Sequence, residues 1–79
     1  NDYTILVFPN PRNSSVLISA DQVKTIKLID LNGVVYKSVI GNKSHSKYRT
    51  DLSDLNSGLY FIEITNKNGE IFYSKVIKN

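Results

Sequence analysis

The chain predicts an all-β fold, a seven-stranded antiparallel immunoglobulin-like β-sandwich. Three observations predict it: apolar and polar residues alternate with a period of two, turn-forming residues recur at intervals of roughly ten residues, and helical periodicity is nearly absent. A small barrel satisfies the same pattern, so the sequence leaves the manner of closure open.

The first predicted strand is Tyr3–Phe8. It ends in Phe8-Pro9-Asn10-Pro11, where each proline fixes its own φ, lacks an N–H and holds the preceding residue extended. Two missing donors this close predict that no ladder runs unbroken through the stretch. The chain is then expected to leave the strand by a stiff extended exit instead of a tight hairpin. A loop at Asn10–Ser14 leads to a second strand, Ser15–Ala20, and Asp21-Gln22-Val23-Lys24 is expected to turn the chain. Thr25–Leu31 and Val34–Ile40 flank Asn32-Gly33, a strong hairpin signal because a type I′ turn needs positive φ at both central positions.

The polar loop Gly41–Lys47 precedes a short strand, Tyr48–Leu52, and Ser53–Gly58 reads as a turn or a single helical turn. Leu59–Thr65 and Glu70–Ile77 are joined by Asn66-Lys67-Asn68-Gly69 as a second hairpin. Tyr60, Ile62 and Ile64 share one face of their strand. In the last strand Phe72, Ser74 and Val76 oppose Ile71, Tyr73, Lys75 and Ile77, and alternation alone does not say which set faces the core. No internal repeat stands out, and no linker divides the chain.

Seventy-nine residues make one domain, near the lower end of what folds alone. With no Cys, neither a disulfide nor a thiolate metal site can staple it, so Ile, Val, Leu, five Tyr and three Phe must build the core. A hydrophobic fraction of 41% against 22% charged argues against disorder. No stretch approaches the ~18 apolar residues of a membrane-spanning helix, and no signal peptide opens the chain. The absence of Met suggests that residues 1–79 are one domain excised from a longer polypeptide, and no targeting sequence reveals its compartment. The net charge of +3 is spread over scattered lysines, as on solvated strand faces, and no basic run points to nucleic acid.

Little in the chain carries chemistry. His45, the only histidine, lies among lysines in Asn42-Lys43-Ser44-His45-Ser46-Lys47 and reads as a solvated loop residue. Asp51 and Asp54 flank Ser53, a spacing that suits capping a turn better than the dense oxygen set of a calcium loop. Glycine-rich phosphate loops, zinc ligand sets and nucleophile elbows are absent, so no catalytic residue, cofactor or metal is expected and the chain is not read as an enzyme. Tyr3, Tyr36, Tyr48, Tyr60 and Tyr73 suit core or rim packing better than a sugar-binding face. Asn13-Ser14-Ser15 and Asn42-Lys43-Ser44 match the glycosylation acceptor pattern, which is short enough to arise by chance.

An ordered set of landmarks is more specific than any one of them. Phe8-Pro9-Asn10-Pro11 follows the first strand, Leu28–Tyr36 carries the Asn32-Gly33 turn, Asp51–Ile62 contains Leu-Asn-Ser-Gly-Leu-Tyr, and Lys75-Val76-Ile77-Lys78 lies beside the end. This order, over essentially the whole chain, resembles the type A C-terminal sorting domain of the type IX (Por) secretion system. Ser57, where that family often has Ala, and Asn32 before Gly33 are departures from its pattern.

The resemblance implies a non-catalytic signal at the C-terminus of a cargo protein, which passes through the periplasm and across the outer membrane to the surface of a Gram-negative bacterium. It also implies the outer-membrane secretion machinery and a sortase-like peptidase as partners, with cleavage near or before Asn1. Pro9, Asn10, Pro11, Lys75, Val76 and Lys78 would bear the signal, with Gly33, Gly58 and Tyr60 as framework. A different class, an immunoglobulin-like accessory or carbohydrate-binding module of a secreted enzyme, is the alternative. Exposed strand edges leave weak self-association open.

Overall fold

The computed structural model describes residues 5–10, of whose side chains only Val7 is included, and residues 14–79. The strands in chain order are β1 (Ile5–Asn10), β2 (Ser15–Ala20), β3 (Val23–Asp30), β4 (Val35–Ile40), β5 (Lys47–Asp51), β6 (Gly58–Asn66) and β7 (Ile71–Lys78). They form two antiparallel sheets, one in the order β1-β2-β5 and the other β4-β3-β6-β7. The chain crosses between the sheets after β2, β4 and β5. The two sheets stay separate, so the fold is a sandwich and not a closed barrel.

The core lies between them and follows the period-two pattern. Val16 and Ile18 come from β2, Ile26 and Leu28 from β3, Tyr48 from β5, Ile62 and Ile64 from β6 and Val76 from β7, all buried. Val7, Val39 and Leu55 pack against this cluster. Each fully buried aliphatic side chain contributes roughly 1.5–3 kcal/mol relative to exposure, so this thin layer carries most of what holds a chain without cross-links. Buried Asn66 satisfies both ends of its amide: Oδ1 accepts from the Asn68 and Glu70 amides at 3.0 and 2.9 Å, and Nδ2 donates to Glu70 Oε1 at 2.9 Å.

Several expectations change. β1 does not stop at Phe8. It pairs with β2 through Pro9 opposite Val16 and Asn10 opposite Ser15, so the strand continues where an extended exit was expected. The reason is position: β1 is an edge strand with one neighbour, and an edge tolerates a proline that would break a central ladder. Tyr3, at the start of the expected first strand, and Pro11 lie outside the described residues. The corner after β2 is only Asp21-Gln22, with Gln22 at φ +56°, because Val23 already faces the core as the first residue of β3.

The turn at Asn32-Gly33 is not type I′. Only Gly33 has positive φ, at +81°, and its N–H donates to the Asp30 carbonyl at 3.1 Å, while the Asp30 N–H donates to the Val34 carbonyl at 3.1 Å. The loop is therefore three residues, Leu31-Asn32-Gly33, with glycine in the left-handed position. The β6–β7 turn has the same form. Gly69 at φ +86° donates to the Asn66 carbonyl at 3.0 Å, and Asn66 closes on Glu70. Asp30-Leu31-Asn32-Gly33-Val34 and Asn66-Lys67-Asn68-Gly69-Glu70 are thus one turn used twice, a local repeat the sequence did not advertise.

Candidate functional site

The register of the two sheets brings the landmarks of the sequence to one end of the sandwich. Gly58 lies opposite Lys78, and Tyr60 lies between Asp30 of β3 and Val76 of β7. In the other sheet, Asn10 is opposite Ser15 and Ser15 is opposite Asp51, so Pro9 and Asn10 reach the same end from β1. Residues 52–57 join β5 to β6 there, and the Leu52 N–H donates to the Ser14 carbonyl. The opposite end holds Ile5 beside Ala20, the Asp21-Gln22 corner and the 41–46 loop.

Tyr60 organises this end. Its ring is buried, 6% exposed, while its hydroxyl donates to the Asn56 carbonyl at 2.7 Å. A tyrosine near the start of this strand, bonded back to the backbone a few residues upstream, is the tyrosine corner of immunoglobulin-like sandwiches. The Tyr36 ring meets the Tyr60 ring edge-on, with centroids 5.6 Å apart and an interplanar angle of 85°. The Tyr36 hydroxyl donates to Asp30 Oδ2 at 3.0 Å, and Asp30 Oδ1 accepts from the Asn32 and Val34 amides at 2.8 and 3.0 Å. A continuous set of contacts therefore joins the Gly33 turn to the Tyr60 corner. Gly58 opens β6 at φ +154°, a conformation that a β-carbon disfavours.

Charged side chains tie this end together. Lys78 Nζ donates to the Leu55 carbonyl at 2.7 Å, and Lys37 pairs with Asp54 at 3.0 Å, so the first and last strands of the four-stranded sheet both grip the 52–57 segment. Asp51 caps the turn as expected, accepting from the Ser53 amide at 2.9 Å and from the Ser53 hydroxyl at 3.0 Å. Those bonds, with Lys37 and Lys78 nearby, hold its carboxyl below the usual carboxylate range. Lys37 does the same for Asp54. The Val34 N–H, followed by the Tyr36 hydroxyl, does so for Asp30.

The terminal residues divide. Val76 is a core residue, 2% exposed, and Lys78 is tied down on Leu55. Lys75 alone projects from the exposed outer face of the sheet, on the rung of Phe61. Lys75 and Lys78 thus do different work, although the sequence presents them together. Asp30, Leu55 and Asn56 were not singled out from sequence, and Tyr36 was read only as a packing residue. For Asp30 the signal that could have found it was the Asp-x-Asn-Gly spacing, shared in form with Asn66-x-Asn-Gly.

The competing readings find less support. Tyr48 and Tyr60 are buried, and the exposed Tyr36 and Tyr73 sit on β4 and β7, at opposite edges of the sheet, so they do not form a row for a sugar. His45 is exposed, edge-on to Tyr48, beside an open polar hollow of about 460 Å³ that Asp21 also lines. Among the described residues its ring makes no hydrogen bond to a carboxylate.

The fold and the tyrosine corner define the class: an immunoglobulin-like β-sandwich domain. A solved structure similar to it is a DUF3244 family protein with an immunoglobulin-like β-sandwich fold from Bacteroides vulgatus, at TM-score 0.81 and 18% identity, covering 99% of this chain and 92% of that one. The family described as secretion system C-terminal sorting domain matches residues 6–79, and the chain belongs to that family, the sorting signals of type IX secretion. Among curated proteins nothing matches this chain.

Proposed function

We propose that the chain is a non-catalytic address, the C-terminal domain of a longer cargo protein that the type IX machinery carries across the outer membrane of a Gram-negative bacterium. The cargo precedes Asn1, enters from the periplasm and is delivered to the cell surface. A sortase-like peptidase then cuts near or before Asn1 and joins the cargo to an anionic surface lipopolysaccharide. Pro9, Asn10 and Lys75 present the signal, with Pro11 beside them in sequence. Val76 and Lys78 hold the last strand in place, and Gly33, Gly58 and Tyr60 maintain the frame.

One observation carries this reading beyond family membership. Landmarks spread from Pro9 to Lys78 in sequence meet at one end of the sandwich, while β1 begins at the other end, beside Ala20. A receptor can then grip the signal end without obstruction from the attached cargo.

The test is a fusion of residues 1–79 to a neutral reporter in a bacterium with this secretion system. The reporter is expected outside the cell, and its retention in the periplasm would sink the reading. Deleting residues 75–79 is a poor probe because it removes Val76 from the core. Lys75→Ala, which leaves the core intact, separates recognition from folding: export should fall while the unfolding midpoint stays in place.

A further inference from the structure

The two sheets end in four edge strands, and three of them carry a feature that discourages further pairing. β1 contains Pro9, β4 is interrupted by a register shift opposite Leu28 and Ile29, and β5 is only five residues long with exposed Lys47, Arg49 and Asp51. Proline, bulges, shortness and charge are the usual means of blunting an edge. β7 has none of the first three: it runs for eight residues, without proline, in unbroken register with β6.

The parity of β7 follows from one bond. The Asn66 N–H donates to the Glu70 carbonyl at 3.0 Å, so Phe72, Ser74, Val76 and Lys78 turn their amides toward β6. Ile71, Tyr73, Lys75 and Ile77 turn theirs outward. Their side chains also stand on the exposed outer face, with Ile71 53%, Tyr73 61% and Ile77 63% exposed. Among the described residues no strand pairs with this outward row.

We infer that β7 is a self-association edge, through which two copies join antiparallel about a twofold axis at Ser74, making one eight-stranded sheet from two four-stranded ones. Hydrogen-bonded pairs must join outward-facing residues, which restricts the register. An axis at Ser74 uses all four of them, placing Ile71 opposite the partner's Ile77 and Tyr73 opposite the partner's Lys75. An axis at Lys75 would set two lysines against each other, and one at Tyr73 would leave Ile77 without a strand partner. In the Ser74 register each Lys75 ammonium meets a tyrosine ring whose hydroxyl donates to Glu63 Oε2 at 3.0 Å. The charge and the acidic, aromatic group that receives it thus occur twice by symmetry, as an isologous contact requires. Among the described residues the only ion pair is Lys37–Asp54, so Lys75 is available for this contact.

Sedimentation equilibrium of the 79-residue chain across the micromolar-to-millimolar range tests the inference without reference to sorting. A reversible monomer–dimer equilibrium is expected. Tyr73→Pro removes an N–H that β6 does not use, so it should keep the monomer's β circular dichroism and abolish the dimer. Lys75→Glu should weaken association about tenfold by facing the partner's Glu63, and Glu63→Lys added to it should restore association. In this cysteine-free chain Ser74→Cys should oxidise to a cross-linked dimer, since Ser74 meets its own copy on the axis, and Tyr73→Cys should not. Three results would each overturn the inference: a monomer at every concentration, a dimer unaffected by Lys75→Glu, or cross-linking at Tyr73→Cys in preference to Ser74→Cys.

Discussion

The Tyr60 hydroxyl donates to the Asn56 carbonyl at 2.7 Å, four residues back, at the point where the chain passes from the three-stranded to the four-stranded sheet. The bond anchors the 52–57 segment to β6 from inside, as the Lys78 ammonium does from the last strand. Tyr60→Phe keeps the ring in the core and removes only this bond. Its expected cost is about 1–2 kcal/mol in urea unfolding, because the Asn56 carbonyl loses its donor in a partly buried place.

The turn at Gly33 should be sensitive to acid through Asp30. The folded state lowers the Asp30 pKa, chiefly by the Val34 N–H, so the carboxylate stabilises the fold fully above its unfolded value. That contribution disappears as pH falls through the lower folded value. Asp51 and Asp54 act with the same sign. Stability measured from neutral pH into acid should therefore decline, and Asp30→Asn should make the decline shallower.

Gly33→Ala meets no neighbouring atom within 4 Å, yet the backbone sits at φ +81°. The expected loss is about 1 kcal/mol from conformation alone, read as a lower urea midpoint with an unchanged slope. An unaltered midpoint would mean that the loop can adopt another turn.

Neighbouring residues of β7 should behave oppositely. Val76→Ala opens space among Tyr60 and the other core residues and should cost about 2 kcal/mol. Lys75→Ala removes an exposed side chain and should change stability by less than about 0.5 kcal/mol. Thermal unfolding of the two variants side by side checks this.

The Lys37–Asp54 pair, with side chains 28% and 67% exposed, should matter less than its 3.0 Å separation suggests. Lys37→Met is expected to cost no more than about 1 kcal/mol, an effect that added salt should erase.

The strands were legible because alternation and turn residues are local signals. Ser15–Ala20 emerges with the bounds its pattern predicts, and Tyr60, Ile62 and Ile64 do share the core face. The Asn32-Gly33 hairpin was legible, but its turn type was not, because Asp30 Oδ1 and Oδ2 select a three-residue loop through bonds to Asn32, Val34 and Tyr36. Pro9 misled for a related reason. Its missing donor ends a ladder only where both sides of a strand are paired, and nothing local says that β1 lies at an edge.

The sequence by itself determined the antiparallel all-β class, the sorting-domain family and the absence of any disulfide, since each follows from residue identity and order, while closure as a sandwich came from the pairing of the strands. Only the tertiary structure decided which face of β7 is buried. Alternation offers two equal faces, and the register with β6, Val76 beside Tyr60, selects one of them. It also decided that Lys78 serves the fold while Lys75 stays free on the surface. Two lysines three residues apart on a strand point to opposite faces, and the physical consequence of that depends on what each face meets.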